Sequence, residues 1–328
     1  MVLRNLDQIL EMAKGFETKQ IVAVAGAAKD AVIDAVLEAV DADLVTPILV
    51  GETAKIQEML VARGRKADEF EIVETYEGQT PADTAVELIK EGRAGFLMKG
   101  SVETSELLRP VVKRDNGLRT GRTISHVAFY QLPFHDKLLI TTDCGITAYP
   151  DVTKKKEIIQ NAVEALHLLG YEEPKVAVLC CKETPDQGLP ETIEARELQE
   201  MCERGELGAC KVVGPISYDL AMSKKRAELK KYDCPYCGEF DILVVPNIHA
   251  GNILGKCLEL LPGAEMCSYV SGARIPIVLT SRAAPAKERL TCLARLAAMM
   301  PARAMQVRRS LAGAAREVST MGIRAPET

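Results

Sequence analysis

The sequence predicts an α/β fold with open, mostly parallel sheets. Two observations carry this. Seven short apolar runs recur along the chain, nearly continuous rather than alternating, as in parallel strands covered on both faces. Between them lie stretches of helical periodicity with start and stop signals. Several runs end in Gly, Ser or Asp just before a helical stretch. Open α/β sheets place ligands at such strand ends.

The elements follow in chain order. Residues 1–16, MVLRNLDQILEMAKGF, space apolar and charged residues as in a helix and lack a signal peptide's apolar run. The first strands are QIVAVAG (20–26) and VTPILVG (45–51). Thr80-Pro81 supplies an N-cap and a first-turn proline for a helix that Gly92 ends. AGFLMKG (94–100) and KLLITTD (137–143) are the next strands. Asp151 opens a helix striped by Ile158, Ile159, Val163, Leu166 and Leu169, with Gly170 at its end. Then come the strand KVAVLCC (175–181) and the charged segment 223–239, a surface helix and loop. FDILVVP (240–246) and IPIVLTS (275–281) complete the strands. The arginine-bearing tail from Met300 reads as a terminal helix with a frayed end.

Composition narrows the function. The 328 residues carry 41 basic and 46 acidic side chains, a net charge of −5, without the basic excess of a nucleic-acid protein. Aromatic residues are 4% and tryptophan is absent, so base-stacking platforms are not expected. No apolar stretch is long enough for a membrane span. The 10 cysteines fit reduced, mostly buried thiols in a cytoplasmic protein.

Several motifs fail. AGAAKD stands where a dinucleotide fingerprint would follow the first strand. Gly251-Asn252-Ile253-Leu254-Gly255-Lys256-Cys257 is one residue short of a P-loop and ends in cysteine instead of the hydroxyl that holds magnesium. Cys234-Pro235-Tyr236-Cys237 lacks a second pair for zinc and precedes its strand, the wrong side for a redox motif. It reads as a surface loop with two thiols. His126, His135, His167 and His249 have no metal spacing.

Three segments gather polar and cationic residues at strand ends. In the first, Ser101 and Thr104 open a helix whose N–H groups favour an anion, and Arg109 follows. In the second, Asp143 and Cys144 sit in a glycine-containing turn, where turn formation alone is the competing explanation. In the third, Asn247, Gly251 and Asn252 follow one strand and Ser281-Arg282 ends another, with Glu288 seven residues beyond Ser281.

At these residues the chain resembles the phosphate acetyl/butyryltransferases. The resemblance is carried by GLRTGRTISHVAFYQLP, the Asp-Cys-Gly turn, KKEIIQNAVEAL, DILVVPNIHAGN and PIVLTSR, and runs from about residue 15 to 295. The first of these motifs looks most like the butyryl branch. The resemblance implies a two-domain architecture of the isocitrate/isopropylmalate dehydrogenase type with a cleft between domains. Residues 1–122 and 282–328 would form the first domain and 123–281 the second. It implies interconversion of acyl-CoA plus phosphate with acyl phosphate plus CoA, in a homo-oligomer, with CoA as substrate and no cofactor or metal. Ser281, Arg282 and Glu288 would be catalytic, and Arg109, Ser101 and Thr104 would bind phosphate. Asp143, Cys144, Asn247, Gly251 and Asn252 would bind CoA or the acyl substrate. Thr147 and Ala283-Ala284-Pro285 depart from the family pattern, as does the tail after Leu296. The alternatives are a phosphate acetyltransferase, a non-catalytic CoA-binding paralogue, and an oxidoreductase of the same fold.

Overall fold

The computed structural model describes residues 2–14 and 19–279, together with Cys292. Ser281, Arg282, Glu288 and the tail lie outside the described residues. In chain order, α1 (Asp7–Lys14) precedes β1 (Gln20–Ala25), α2 (Asp30–Asp41), β2 (Val45–Val50), α3 (Thr53–Val61) and β3 (Glu71–Val73). Next come α4 (Pro81–Lys90), β4 (Phe96–Lys99), α5 (Thr104–Val112), β5 (Ser125–Gln131) and β6 (Leu139–Thr142). They are followed by α6 (Val152–Leu168), β7 (Lys175–Leu179), α7 (Pro190–Glu203), β8 (Lys211–Ile216) and α8 (Tyr218–Met222). α9 (Lys224–Leu229), β9 (Ile242–Val244), α10 (Ile248–Glu259), β10 (Glu265–Ser271) and β11 (Ile277–Val278) complete the order.

The expected helix signals act as caps. Thr80 and Asp83 form a capping box on α4, and the Asp151 carboxylate accepts from the Lys154 N–H at the start of α6. Gly92 and Gly170 take the left-handed conformation just past the helix ends, at φ 73° and 88°.

Where open parallel sheets were expected, the described strands form one mixed sheet, ordered β3-β2-β1-β4-β11-β10-β5-β6-β9-β7-β8. β3, β2, β1, β4 and β11 are mutually parallel. β6, β9, β7 and β8 are likewise parallel to one another. The pairs β11·β10, β10·β5 and β5·β6 are antiparallel. Three reversals therefore make the two parallel halves run in opposite senses. Strand ends of the first half point to one end of the sheet and those of the second half to the other.

Alternation of side chains divides the core. On one face a single apolar cluster crosses the whole sheet, including Val22, Phe129, Val176 and Val278. On the opposite face there are two clusters. One gathers Ala23, Leu97, Val270 and Ile277, and the other gathers Ala128, Tyr130, Leu243 and Leu179. A seam separates them.

The N-terminal segment makes hydrogen bonds to the second half of the chain. The Leu3 C=O accepts from the Leu138 N–H, and the Leu3 N–H donates to Tyr171 Oη at 2.9 Å. Leu3, Leu6 and Ile9 are buried there in the continuous cluster. One expectation is corrected at the Cys-Pro-Tyr-Cys turn. Cys237 is a core residue beside Phe240, not a surface thiol, and Cys234 packs against the same cluster.

The strand ends of β1 and β4 meet closely. The Gly100 N–H donates to the Ala25 C=O and the Ser101 N–H to the Gly26 C=O. A Cβ at Gly100 would overlap the Gly26 carbonyl, which is backbone and cannot swing aside. Gly100→Ala is therefore expected to cost about 3 kcal/mol. Thermal unfolding checks this; an unchanged Tm would contradict the close approach.

Candidate active site

The reversal of strand sense sorts the sequence candidates into two groups. Ser101 and Thr104 follow β4, beside β11, the strand that leads toward position 281. Asp143 and Cys144 follow β6, and Asn247 follows its neighbour β9. The candidates do not share one end of the sheet. What joins the second group to β11 is the seam on the sheet face.

Asp143 organises the loop after β6. Its Oδ1 accepts from the N–H groups of His126, Gly145 and Ile146 at 3.2, 3.0 and 3.1 Å, and its Oδ2 from the Thr147 N–H at 2.9 Å. The residue is 3% exposed. Its carboxylate accepts from backbone N–H groups, the arrangement expected of a turn-forming aspartate. Thr147, one of the departures from the family pattern, closes the same network.

Asn247 also has a structural role. Its side chain caps α10 by accepting from the Ala250 N–H at 3.1 Å. One turn on, Gly251 lets α10 lie against the β6 loop. A Cβ there would fall 2.7 Å from Val245 Cγ2 and 2.9 Å from Cys144 Cα. Of the second group, Asn252 is exposed on α10 and Cys144 is buried beneath it.

A cavity of about 200 Å³ occupies the seam, and Cys144, Gly251, Asn252 and Leu279 line it. Its floor is strand residues of alternating address. On β5, Tyr130 and Ala128 belong to the second-half cluster, Ile124 just before the strand packs against the first-half cluster, and His126 stands between them. On β10, Met266 and Val270 divide in the same way around Ser268. The Ser268 hydroxyl donates to the Leu279 C=O at 2.9 Å, tying the floor to the chain just past β11.

The cavity's thiol is buried and poorly suited to ionise. Burial, with the Asp143 charge adding to it, pushes Cys144 up to about 12 against the opposing hydrogen bond to Thr141 Oγ1 at 3.2 Å. Among the described residues no group of three or more His, Cys, Asp or Glu side chains is placed to hold a metal ion. No described helix is long and apolar enough to cross a membrane.

The first group is less enclosed. The Ser101 hydroxyl donates to the Gly26 C=O at 3.0 Å. Thr104 begins α5, whose N-cap makes no side-chain capping bond, so first-turn N–H groups face outward. Arg109 is five residues along α5 and 66% exposed, 3.6 Å from the Asp83 carboxylate. That carboxylate already completes the α4 capping box.

Sequence reasoning did not single out His126, which lines the seam cavity. It lies inside SHVAF, a stretch quoted only for its resemblance. The usable signal was a polar residue inside an otherwise buried strand. The thiol environment makes a prediction. At pH 8 a thiol titrating near 12 is about one part in ten thousand thiolate, and alkylation needs the thiolate. Iodoacetamide is expected to label exposed Cys181 and Cys257 and leave Cys144 unmodified, as peptide mass spectrometry will show. Labelling of Cys144 at the rate of the exposed thiols would contradict its burial.

Comparisons with known proteins identify the family. The family model described as phosphate acetyl/butaryl transferase matches residues 56–298. A phosphate acetyltransferase of Rhizobium meliloti is 39% identical over 297 residues, 90% of this chain and 93% of that protein. A phosphate butyryltransferase of Clostridium acetobutylicum is 36% identical over 299 residues, 91% of this chain and 99% of that protein. A solved branched-chain phosphotransacylase from Enterococcus faecalis superposes with TM-score 0.74 at 28% identity, covering 86% of this chain and 99% of that one. The chain thus belongs to the phosphate acetyl/butaryl transferase family, and it is an enzyme of phosphate-dependent acyl transfer.

Proposed function

We propose that this enzyme moves a short acyl group, butyryl-like in size, between CoA and phosphate, with the acyl end held in the seam. One observation carries the reading. The cavity at the seam joins Cys144, Gly251 and Asn252 to Leu279, two positions before Ser281 in the chain. At about 200 Å³ it is smaller than a site for a drug-sized ligand, so it suits the acyl end of the substrate and not the whole of CoA. Ile146, Met266 and Leu279 give it apolar walls that favour a hydrocarbon chain over an acetyl group.

The chemistry needs a thioester, phosphate and fixed dipoles. A phosphate oxygen attacks the thioester carbonyl carbon, the C–O bond forms, the C–S bond breaks, and the proton lost by phosphate ends on the CoA sulfur. In the reverse direction Glu288 takes the thiol proton, because a free thiol is only a few per cent ionised at neutral pH. Ser281 donates a hydrogen bond to the developing oxyanion. Arg282 and Arg109 hold phosphate oxygens, for which a guanidinium is geometrically suited. The ion pair that occupies Arg109 is no obstacle: an exposed pair contributes at most about 1 kcal/mol, less than a bidentate phosphate contact returns. Asp143 and Asn247 act as positioning residues behind the cavity wall.

The two-domain reading, divided near residue 122 with a return near 282, belongs to the same proposal. It is supported by the two clusters on one sheet face, with a cleft at the seam between them. A cytoplasmic homo-oligomer is the expected setting.

Thiol release from acetyl-, propionyl- and butyryl-CoA, with and without phosphate, tests the assignment. Phosphate-dependent release that is fastest with butyryl-CoA is expected. Fastest release with acetyl-CoA would make the enzyme a phosphate acetyltransferase, and no release would refute the reading. Within an active enzyme, Arg109→Ala is expected to raise KM for phosphate about tenfold, one charge-assisted contact's share. Ser281→Ala is expected to lower kcat about 100-fold, as for one oxyanion donor. Wild-type kinetics in both variants would remove these roles.

A further inference from the structure

The seam floor holds a nitrogen that bonds nothing among the described residues. His126 Nδ1 is buried from solvent and makes no hydrogen bond to any described residue. The residue is otherwise firmly placed. Its N–H donates to Asp143 Oδ1 at 3.2 Å, and its C=O accepts from Thr142 Oγ1 at 2.8 Å. With β5 fixed, alternation turns the imidazole to the cavity side, where Ala128 and Tyr130 also point. On its loop side stands Gly145, where even an added Cβ would lie 3.9 Å from the ring.

Among the described residues no charged group is free to satisfy it. The charged groups facing the ring are Asp143, Glu259 and Lys256. Asp143 is occupied by four backbone N–H groups. Glu259 and Lys256 hold each other at 2.6 Å along α10. Buried polar atoms in folded proteins are nearly always paired, and an orphan beside a cavity marks where a ligand supplies the partner.

We propose that His126 contacts the substrate in the seam, its Nδ1–H donating to the acyl carbonyl oxygen. The inference rests on the acyl-transfer assignment above. Burial lowers the pKa of the imidazole below its ordinary value, and this outweighs the opposing charge of Asp143. At neutral pH the ring is uncharged, with one nitrogen a donor and the other an acceptor. A neutral imidazole polarises a carbonyl without bringing a cation into an apolar site. As phosphate adds to the carbonyl carbon, the C=O electron pair moves onto oxygen and is held by Nδ1–H. It returns when the C–S bond breaks, and the imidazole proton stays where it was.

The test compares three substitutions in the full chain. His126→Asn places an amide nitrogen where Nδ1 stood, His126→Gln places it about where Nε2 stood, and His126→Phe has no donor. Thiol release with butyryl-CoA is expected to lose about 100-fold in kcat/KM for Phe and Gln and less than tenfold for Asn, with KM for phosphate unmoved. The infrared carbonyl band of bound butyryl-CoA, without phosphate, is expected at lower frequency in wild type and His126→Asn than in His126→Phe. A His126→Phe enzyme within twofold of wild type, or the same carbonyl frequency in both, overturns the proposal. If the Phe variant does not fold, equal losses in Asn and Gln overturn it. No thiol release by wild type would instead overturn the acyl-transfer assignment, and the proposed carbonyl contact with it.

Discussion

Everything about the site depends on how a two-residue strand is paired. Ile277 and Val278 bond in parallel to Leu97 and Met98 on one side and antiparallel to Tyr269 and Val270 on the other. In the described strand order, β11 passes the first parallel half to β10, and β10 and β5 carry it on to the second. That link fixes the opposed strand senses. It follows that strand-end loops cannot all converge, although convergence at strand ends is the usual location for a ligand in an open α/β sheet. The meeting place is a sheet face, where two apolar clusters stop short of each other and polar residues fill the floor between them.

The floor and roof of the seam are held by different physics. The roof, the loop after β6 with α10 behind it, is fixed by hydrogen bonds and by close approach. The Asp143 carboxylate accepts four N–H groups, and Gly251 allows helix and loop to touch. The floor is fixed by ladder pairing, with His126 opposite Val270 and Ala128 opposite Ser268. A rigid roof over a rigid floor leaves a cavity whose unsatisfied atoms are directed rather than free to rearrange. Preorganised dipoles of this kind supply the largest share of stabilisation in acyl transfer, because they need no reorganisation when charge develops.

Much of the fold was legible in the sequence. β1, β2, β4, β6, β7, β9 and β11 stand out as apolar runs because both their faces are covered. β5 and β10 did not. Both are buried, but Ser125, His126 and Gln131 interrupt the first, and Glu265 and Ser268 the second. These polar residues are present for specific partners: Ser125 Oγ accepts from Asn161 at 2.9 Å and Gln131 Oε1 from the Leu6 N–H. The same interruptions hid the seam, since the residues that break the strand pattern are the ones that build it. β3 has only three residues at the sheet edge, and Gly214-Pro215 breaks the apolar run of β8. The Asp-Cys-Gly turn was legible as a place but not as a role. Sequence spacing cannot tell a carboxylate that meets substrate from one that holds its own loop.

The proposed site receives the acyl group on the sheet face, at the seam. A crystal structure of the enzyme with butyryl-CoA tests it most directly. The four-carbon chain is expected between Leu279, Met266 and α10, with its carbonyl oxygen within about 3.2 Å of His126 Nδ1. An acyl chain lodged at the strand ends of β1 and β4, with His126 Nδ1 still unbonded, would contradict it.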